Sequence, residues 1–122
     1  MNTLFEQLGG AAAVDLAVDR FYDKVLADER IRHFFTGVDM ARQRQHQKNF
    51  FTYAFGGAAN YSGQTLRVAH RRMVDTQGLA DTHFDAVVEN LKSTLVELNV
   101  ADALIDQVIA ITESARDDVL GR

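Results

Sequence analysis

The chain has 122 residues, of which 47% are hydrophobic and 25% charged, and it carries a net charge of -4 and no cysteine. This length and composition predict a single globular domain over residues 1–122. A net negative charge disfavours nucleic acid as a partner, and the absence of cysteine excludes disulfides and thiolate metal ligands. Because no segment approaches the roughly 18 apolar residues of a membrane span, and no signal peptide is recognisable, we expect a cytoplasmic protein with no membrane partner.

Helical patterns occupy the first third of the chain. Thr3 and Glu6 form a capping box that predicts a short helix, and Gly9 ends it. Apolar residues at helical spacing predict a second helix over about residues 11–26 and a short one over residues 28–35. The chain therefore begins with helices joined by tight corners.

The segment over residues 39–57 predicts a helix whose apolar stripe carries polar side chains. Asp39 is a good N-cap, and a glycine pair ends the helix. At about 100° per residue, one face collects Met40, Gln43, His46, Gln47, Phe50 and Ala54. A buried amide or imidazole costs free energy unless it is hydrogen-bonded or coordinated. Three inward polar residues therefore predict a polar-lined cavity. The alternative is a satisfied core histidine, with glutamines at the edge of the stripe that reach water.

The second half of the chain predicts a loop over residues 58–63 followed by three helices. The first, over about residues 64–76, places His70 among apolar neighbours; taken alone, this position also fits a core histidine bonded to a carbonyl. The other two, over about residues 81–98 and 101–120, carry long apolar stripes. Because no strand-like alternation of useful length appears, the sequence predicts an all-α fold.

Several single residues are ambiguous at this level. Tyr22 lies at the edge of an apolar stripe and could be an ordinary amphipathic core residue. Phe34 and Phe35 are expected to form the wall of a large pocket. His33 is expected at the surface with no role, and His83 is interpreted as a neighbour of a helix cap rather than a ligand.

Two histidines on consecutive helices suggest a haem. If the helices were antiparallel, His46 and His70 would face each other across a gap that a planar cofactor could fill, and imidazole is a good iron ligand. Zinc fits less well, because two histidines without a nearby inward carboxylate leave a tetrahedral site short of ligands. A haem-free helical protein with structural histidines is the remaining alternative.

An ordered set of motifs resembles the group I truncated haemoglobins, most closely the cyanobacterial type in which a distal histidine binds iron. The set spans residue 3 to about residue 100 and comprises Gly9-Gly10, Phe21-Tyr22, Phe34-Phe35, Asp39-Met40, Gln43 to Gln47, Tyr53 to Gly57 and Ala69-His70. The resemblance implies a truncated globin, a two-over-two helical sandwich around a haem.

The resemblance also implies the site residues. His70 would be the proximal ligand of haem b and His46 the reversible distal ligand. The distal side would be lined by Tyr22, Gln43 and Gln47, which would donate hydrogen bonds to dioxygen, while Phe35 and Phe50 would pack against the haem plane. For the haem propionates, the candidate cations are Arg42, Lys48 and Arg67.

Some cyanobacterial relatives attach the haem covalently through a histidine in the last helix. The corresponding segment here, ESARDDVLGR, has no histidine, so the sequence predicts non-covalent haem. We expect a monomer that binds dioxygen, nitric oxide or other diatomic molecules and that receives electrons from an unidentified reductase. The polar residues implied on the distal side favour the handling of nitric oxide and reactive oxygen species. An enzymatic activity like that of a nitric oxide dioxygenase or a peroxidase is one of the open alternatives. The alternatives are electron transfer and simple oxygen storage or transport.

Overall fold

The computed structural model describes residues 3–58 and 65–122, and within them every regular element is helical, which confirms the all-α prediction. In chain order the helices are α1 (Leu4–Leu8), α2 (Gly10–Ala27), a short 3-10 helix (Arg32–Phe35), α3 (Met40–Ala54), α4 (Leu66–Gln77), α5 (Asp81–Glu97), α6 (Asp102–Ser114) and α7 (Arg116–Leu120). Residues 59–63 of the predicted loop lie outside the described residues. No described helix is both long enough and apolar enough to cross a membrane.

The predicted caps set the helix starts. The Thr3 hydroxyl accepts a hydrogen bond from the backbone N–H of Glu6, and the Asp39 carboxylate accepts one from the backbone of Arg42. Between α1 and α2, Gly9 has a φ of +115°, a value that residues with a β-carbon rarely adopt. The chain can therefore turn sharply from α1 into α2 at this position.

Two pairs of helices form the core. Helix α2 packs against α3, α5 packs against α6, and the two pairs meet where α2 contacts α5. The side chains buried at these contacts are Val14, Val18, Phe21, Val25, Phe51, Phe55, Leu91, Leu95, Ile105 and Val108. This arrangement confirms the predicted two-over-two helical sandwich.

The last helix differs from its prediction. The sequence predicts one helix over residues 101–120, whereas the structure has two, α6 and α7. The Thr112 hydroxyl donates to the Val108 carbonyl, and the Ser114 hydroxyl donates to the Ile111 carbonyl, so side chains compete for the carbonyls of the last turns of α6. The separate helix α7 packs against α4.

Candidate functional site

A cavity lies among the described helices, with walls contributed by α2, the 3-10 helix, α3, α4, α5 and the C-terminal segment. It encloses about 950 Å³ of space free of atoms, including the part that is open to solvent. Six of its lining residues are phenylalanines, and its polar lining side chains are Tyr22, Gln43, Gln47, His70, His83 and Thr112. A large, mainly aromatic space with few polar groups suits a flat organic cofactor.

The structure brings most of the predicted site residues together. The ones that line this cavity are Tyr22, Phe35, Gln43, Gln47, Phe50 and His70. They come from four helices, since α2, the 3-10 helix and α4 contribute one each and α3 contributes three. His46 is absent from the wall, and the roles of all seven residues stay predictions.

Tyr22, Gln43 and Gln47 form a hydrogen-bonded cluster at the cavity wall. The Gln43 amide Nε2 donates to the Tyr22 hydroxyl oxygen at 3.1 Å, and the Tyr22 hydroxyl donates to Oε1 of Gln47 at 3.3 Å. The two glutamines lie one helical turn apart on α3, so both reach the tyrosine on α2. The cluster satisfies buried polar groups that would otherwise cost free energy.

Tyr22 is buried, with 2% of its surface exposed. Burial raises the pKa of its hydroxyl to about 12, although the Gln43 hydrogen bond and the Arg44 charge act in the opposite direction. Its ring also makes an edge contact with Phe35, with the ring centroids 5.7 Å apart. Tyr22 is therefore a neutral hydrogen-bond donor on a packed ring at every physiological pH.

His70 presents one ring nitrogen for a ligand. Its Nδ1 lies 2.8 Å from the backbone carbonyl oxygen of Leu66, one turn earlier on α4. Because that carbonyl can only accept, Nδ1 carries the proton in the neutral ring and the lone pair is on Nε2. Burial lowers the pKa of His70, and the Leu66 hydrogen bond offsets part of this effect. The imidazole is thus held in the neutral form that binds metal.

His46 does not point inward, contrary to the orientation that the helical wheel predicts. It is exposed on α3, whereas Phe51, which the predicted stripe omits, is buried with 7% of its surface exposed. His46 lies about 140° round the helix from Phe51. The buried face of α3 is therefore centred near Gln47 and Phe51, and this rotation of the helix leaves His46 in solvent.

The three cations nominated for the haem propionates are not part of the cavity wall. Lys48 pairs with Asp19 of α2 at 3.3 Å, and Arg67 donates to Asp118 of α7 at 3.1 Å. Arg42 is exposed, and none of the three lines the cavity. Two of the three candidates therefore serve contacts between helices.

Sequence reasoning missed part of the wall. Leu79, His83, Thr112, Ala115 and Val119 also line the cavity. Thr112, Ala115 and Val119 belong to the apolar stripe that the sequence assigns to the core, and spacing alone does not distinguish a cavity wall from a packed core. His83 does serve the predicted cap, because its Nδ1 accepts the Ala80 backbone N–H at 2.9 Å.

The donor set fits a haem better than a bare metal ion. Among the described residues, no group of three or more His, Asp or Glu side chains could hold a metal. A porphyrin supplies four nitrogen ligands itself, so one neutral imidazole from the protein is enough for its iron. The cavity supplies one such imidazole, His70, with its ring nitrogen Nε2 unprotonated.

The burial of Tyr22 predicts a distinctive alkaline titration. A phenol with a pKa of about 10 when unfolded and about 12 when folded stabilises the fold below pH 10, and this contribution is lost as the pH rises from about 10 to 12. The near-ultraviolet tyrosinate signal of the native chain minus that of Tyr22→Phe should therefore rise near pH 12. A difference signal that rises near pH 10 would contradict this, and Tyr53→Phe, at an exposed position, is the control.

Comparison with known proteins identifies the family. The bacterial-like globin family profile matches residues 3–120. The chain is 57% identical over 111 residues to a group 1 truncated hemoglobin of Synechocystis, covering 91% of this chain and 90% of that protein. Its structure resembles the 2/2 hemoglobin of Synechococcus sp. PCC 7002 in the cyanomet state with covalently attached heme, with a TM-score of 0.97 and 57% identity over 99% of this chain and 100% of that one. It also resembles the Fe(III) form of the truncated hemoglobin of Tetrahymena pyriformis, with a TM-score of 0.90 and 44% identity over 99% and 100% of the two chains. The chain belongs to the bacterial-like globin family and, within it, to the group 1 truncated haemoglobins.

Proposed function

We propose that this protein binds haem b in the cavity through His70 and that the pocket beside Tyr22 binds dioxygen and other diatomic molecules. The observation that carries the proposal is one cavity lined both by a neutral, oriented imidazole and by a cluster of hydrogen-bond donors. Family membership supports it, because the Synechococcus relative holds heme and the Tetrahymena relative is an Fe(III) protein. When bound, the haem would supply an iron atom that takes a diatomic ligand.

The distal cluster gives the chain a means of holding a polar diatomic molecule. At 3.3 Å, the hydrogen bond from Tyr22 to Gln47 is long, so the hydroxyl can turn towards a molecule in the cavity at small cost. Gln43 continues to donate to the Tyr22 oxygen during this turn, which makes the hydroxyl a stronger donor. Because Tyr22 engages only the Oε1 of Gln47, the Nε2 of Gln47 can act as a second donor.

Retention of dioxygen follows from this polarity. Each donated hydrogen bond is worth about 0.5–1.5 kcal/mol net, which slows the release of dioxygen by up to about tenfold. Slow release suits a reaction between dioxygen and nitric oxide, or other handling of reactive species, better than oxygen delivery. We therefore propose nitric oxide and reactive oxygen chemistry as the biological role.

Removal of the Tyr22 hydroxyl tests the proposed pocket. In the haem-loaded protein, Tyr22→Phe should release dioxygen roughly 2- to 10-fold faster, because the molecule loses a hydrogen-bond donor. Stopped-flow displacement of dioxygen by carbon monoxide measures the rate. Tyr53→Phe removes a hydroxyl from an exposed ring outside the cavity and should leave the rate unchanged. Equal release rates in native protein and Tyr22→Phe would contradict the role assigned to the cluster.

Gating by His46 is a second part of the proposal. His46 is exposed here, so it would reach the iron only if α3 moved or turned towards the cavity. Besides the buried packing and the Tyr22 hydrogen bonds, surface polar contacts join α3 to α2; for example, Arg44 donates to the Asp19 carbonyl at 3.0 Å, and Lys48 pairs with the Asp19 carboxylate at 3.3 Å. Half-exposed pairs of this kind contribute little stability, so they permit such a motion.

The His46→Leu variant tests gating. If His46 occupies the iron in most molecules, carbon monoxide can bind only the fraction in which the iron is open. Removal of His46 should then speed binding by the inverse of that fraction, which is at least tenfold where His46 is bound in more than about 90% of molecules. Flash photolysis measures this rate, and Gln45→Leu, an exposed neighbour on α3, is the control. An unchanged rate would contradict gating. A changed redox potential without a changed rate would favour electron transfer.

Non-covalent attachment is the third part. The last two helices contribute Thr112, Ala115 and Val119 to the cavity wall, none of which can bond covalently to a haem vinyl group. This differs from the covalently attached heme of the Synechococcus relative. Acidified organic solvent should therefore extract all haem from the denatured protein, as judged by the absorbance left with the chain. Haem that stays with the chain would contradict this expectation.

A further inference from the structure

His83 lies at the first turn of α5, where it does more than cap the helix. Its ring lines the cavity, packs edge-on against Phe34 with centroids 5.0 Å apart, and lies 6.1 Å from the exposed ring of His33. The residue is half-buried. His83 therefore borders both the cavity and the solvent, at a place where a charged group of a cavity ligand could remain hydrated.

The cap fixes which nitrogen of His83 can donate. Nδ1 accepts the Ala80 backbone N–H at 2.9 Å, so in the neutral ring the proton is on Nε2. Nε2 makes no hydrogen bond to any residue that the structure describes. The helix cap thus prepares an N–H donor whose partner is not supplied by the described part of the chain.

The other polar side chains of the cavity each have a hydrogen-bond partner already. Tyr22 and the two glutamines bond to one another, Thr112 donates to the Val108 carbonyl, and His70 uses Nδ1 for the Leu66 carbonyl. His70 retains a lone pair for iron rather than a proton to donate. Among the described lining residues, His83 is the one whose free donor has no other assignment.

A haem brings two carboxylates that need donors, and none of the three nominated cations lines the cavity. We propose that the Nε2–H of His83 donates a hydrogen bond to one haem carboxylate and thereby fixes the orientation of the haem at the solvent edge. This inference rests on the proposed haem binding. It assigns to His83 a binding role in addition to its cap.

The test is the rate of haem transfer to excess apomyoglobin, measured with haem and with haem dimethyl ester, whose carboxylates are blocked. His83→Gln and His83→Glu are matched in size, and both keep an oxygen that can cap α5 at this position. His83→Gln retains a donor, whereas His83→Glu replaces it with a negative charge. His83→Phe removes the donor without adding charge, and His33→Phe is the control for the neighbouring surface.

With haem, His83→Phe should lose the cofactor roughly tenfold faster than the native chain, and His83→Glu faster still, while His83→Gln stays within about twofold. With the dimethyl ester, the native chain and all three variants should lose the cofactor at similar rates. Helical circular dichroism confirms that the variants fold, and His83→Gln keeps the test valid if His83→Phe does not fold.

If His83→Phe and the native chain lose haem at equal rates, the inference is overturned. This holds even if His83→Glu loses haem faster, because repulsion between the introduced carboxylate and a haem carboxylate shows only that the two groups are close. Faster loss from His83→Phe with both cofactors would also overturn it, since the ring would then act by packing. Haem that becomes covalently attached through His83 would overturn it in a third way. Failure of the native chain to bind haem would instead overturn the proposed function, and the Soret band distinguishes that case.

Discussion

The orientation of the His70 ring is the constraint on which the site depends. The hydrogen bond from Nδ1 to the Leu66 carbonyl lies within α4, so the helix itself fixes the ring and no side chain from another element is needed. The same bond determines that Nε2 holds the lone pair, and burial keeps the ring neutral. Whatever positions α4 therefore positions the proposed iron ligand.

Helix α7 is the main partner of α4 and links it to α5. Arg67 of α4 donates to Asp118 and to the carbonyl of Arg122, at 3.1 and 2.6 Å. Arg116 donates to Asp81 of α5 at 3.1 Å, and Arg122 donates to the same carboxylate at 2.7 Å. The separation of α7 from α6 thus matters for the site, because this short helix connects the helix of the proposed iron ligand to the helix that carries His83.

The fold and most of the site could be predicted from the sequence for a physical reason. Each helix has its own apolar period and its own cap, and polar residues on an apolar stripe, such as Gln43 and Gln47, indicate a cavity. The remainder depends on tertiary packing. The structure buries Phe51 rather than Phe50, and this rotation of α3 exposes His46. Because the two phenylalanines are adjacent and equally apolar, the sequence alone does not decide which ring is buried. The proposed second role of His83 likewise requires knowing what lies beside its helix.

The most direct measurement is a titration of the haem-free protein with haem, followed in the Soret region, for the native chain and for His70→Gly. The account predicts that one haem per native chain gives a saturating Soret band. It also predicts that His70→Gly loses the ligand-field spectrum of a histidine-bound iron and regains it when imidazole is added to fill the space. A native chain without stoichiometric binding, or a His70→Gly spectrum identical to the native one without imidazole, would contradict the account.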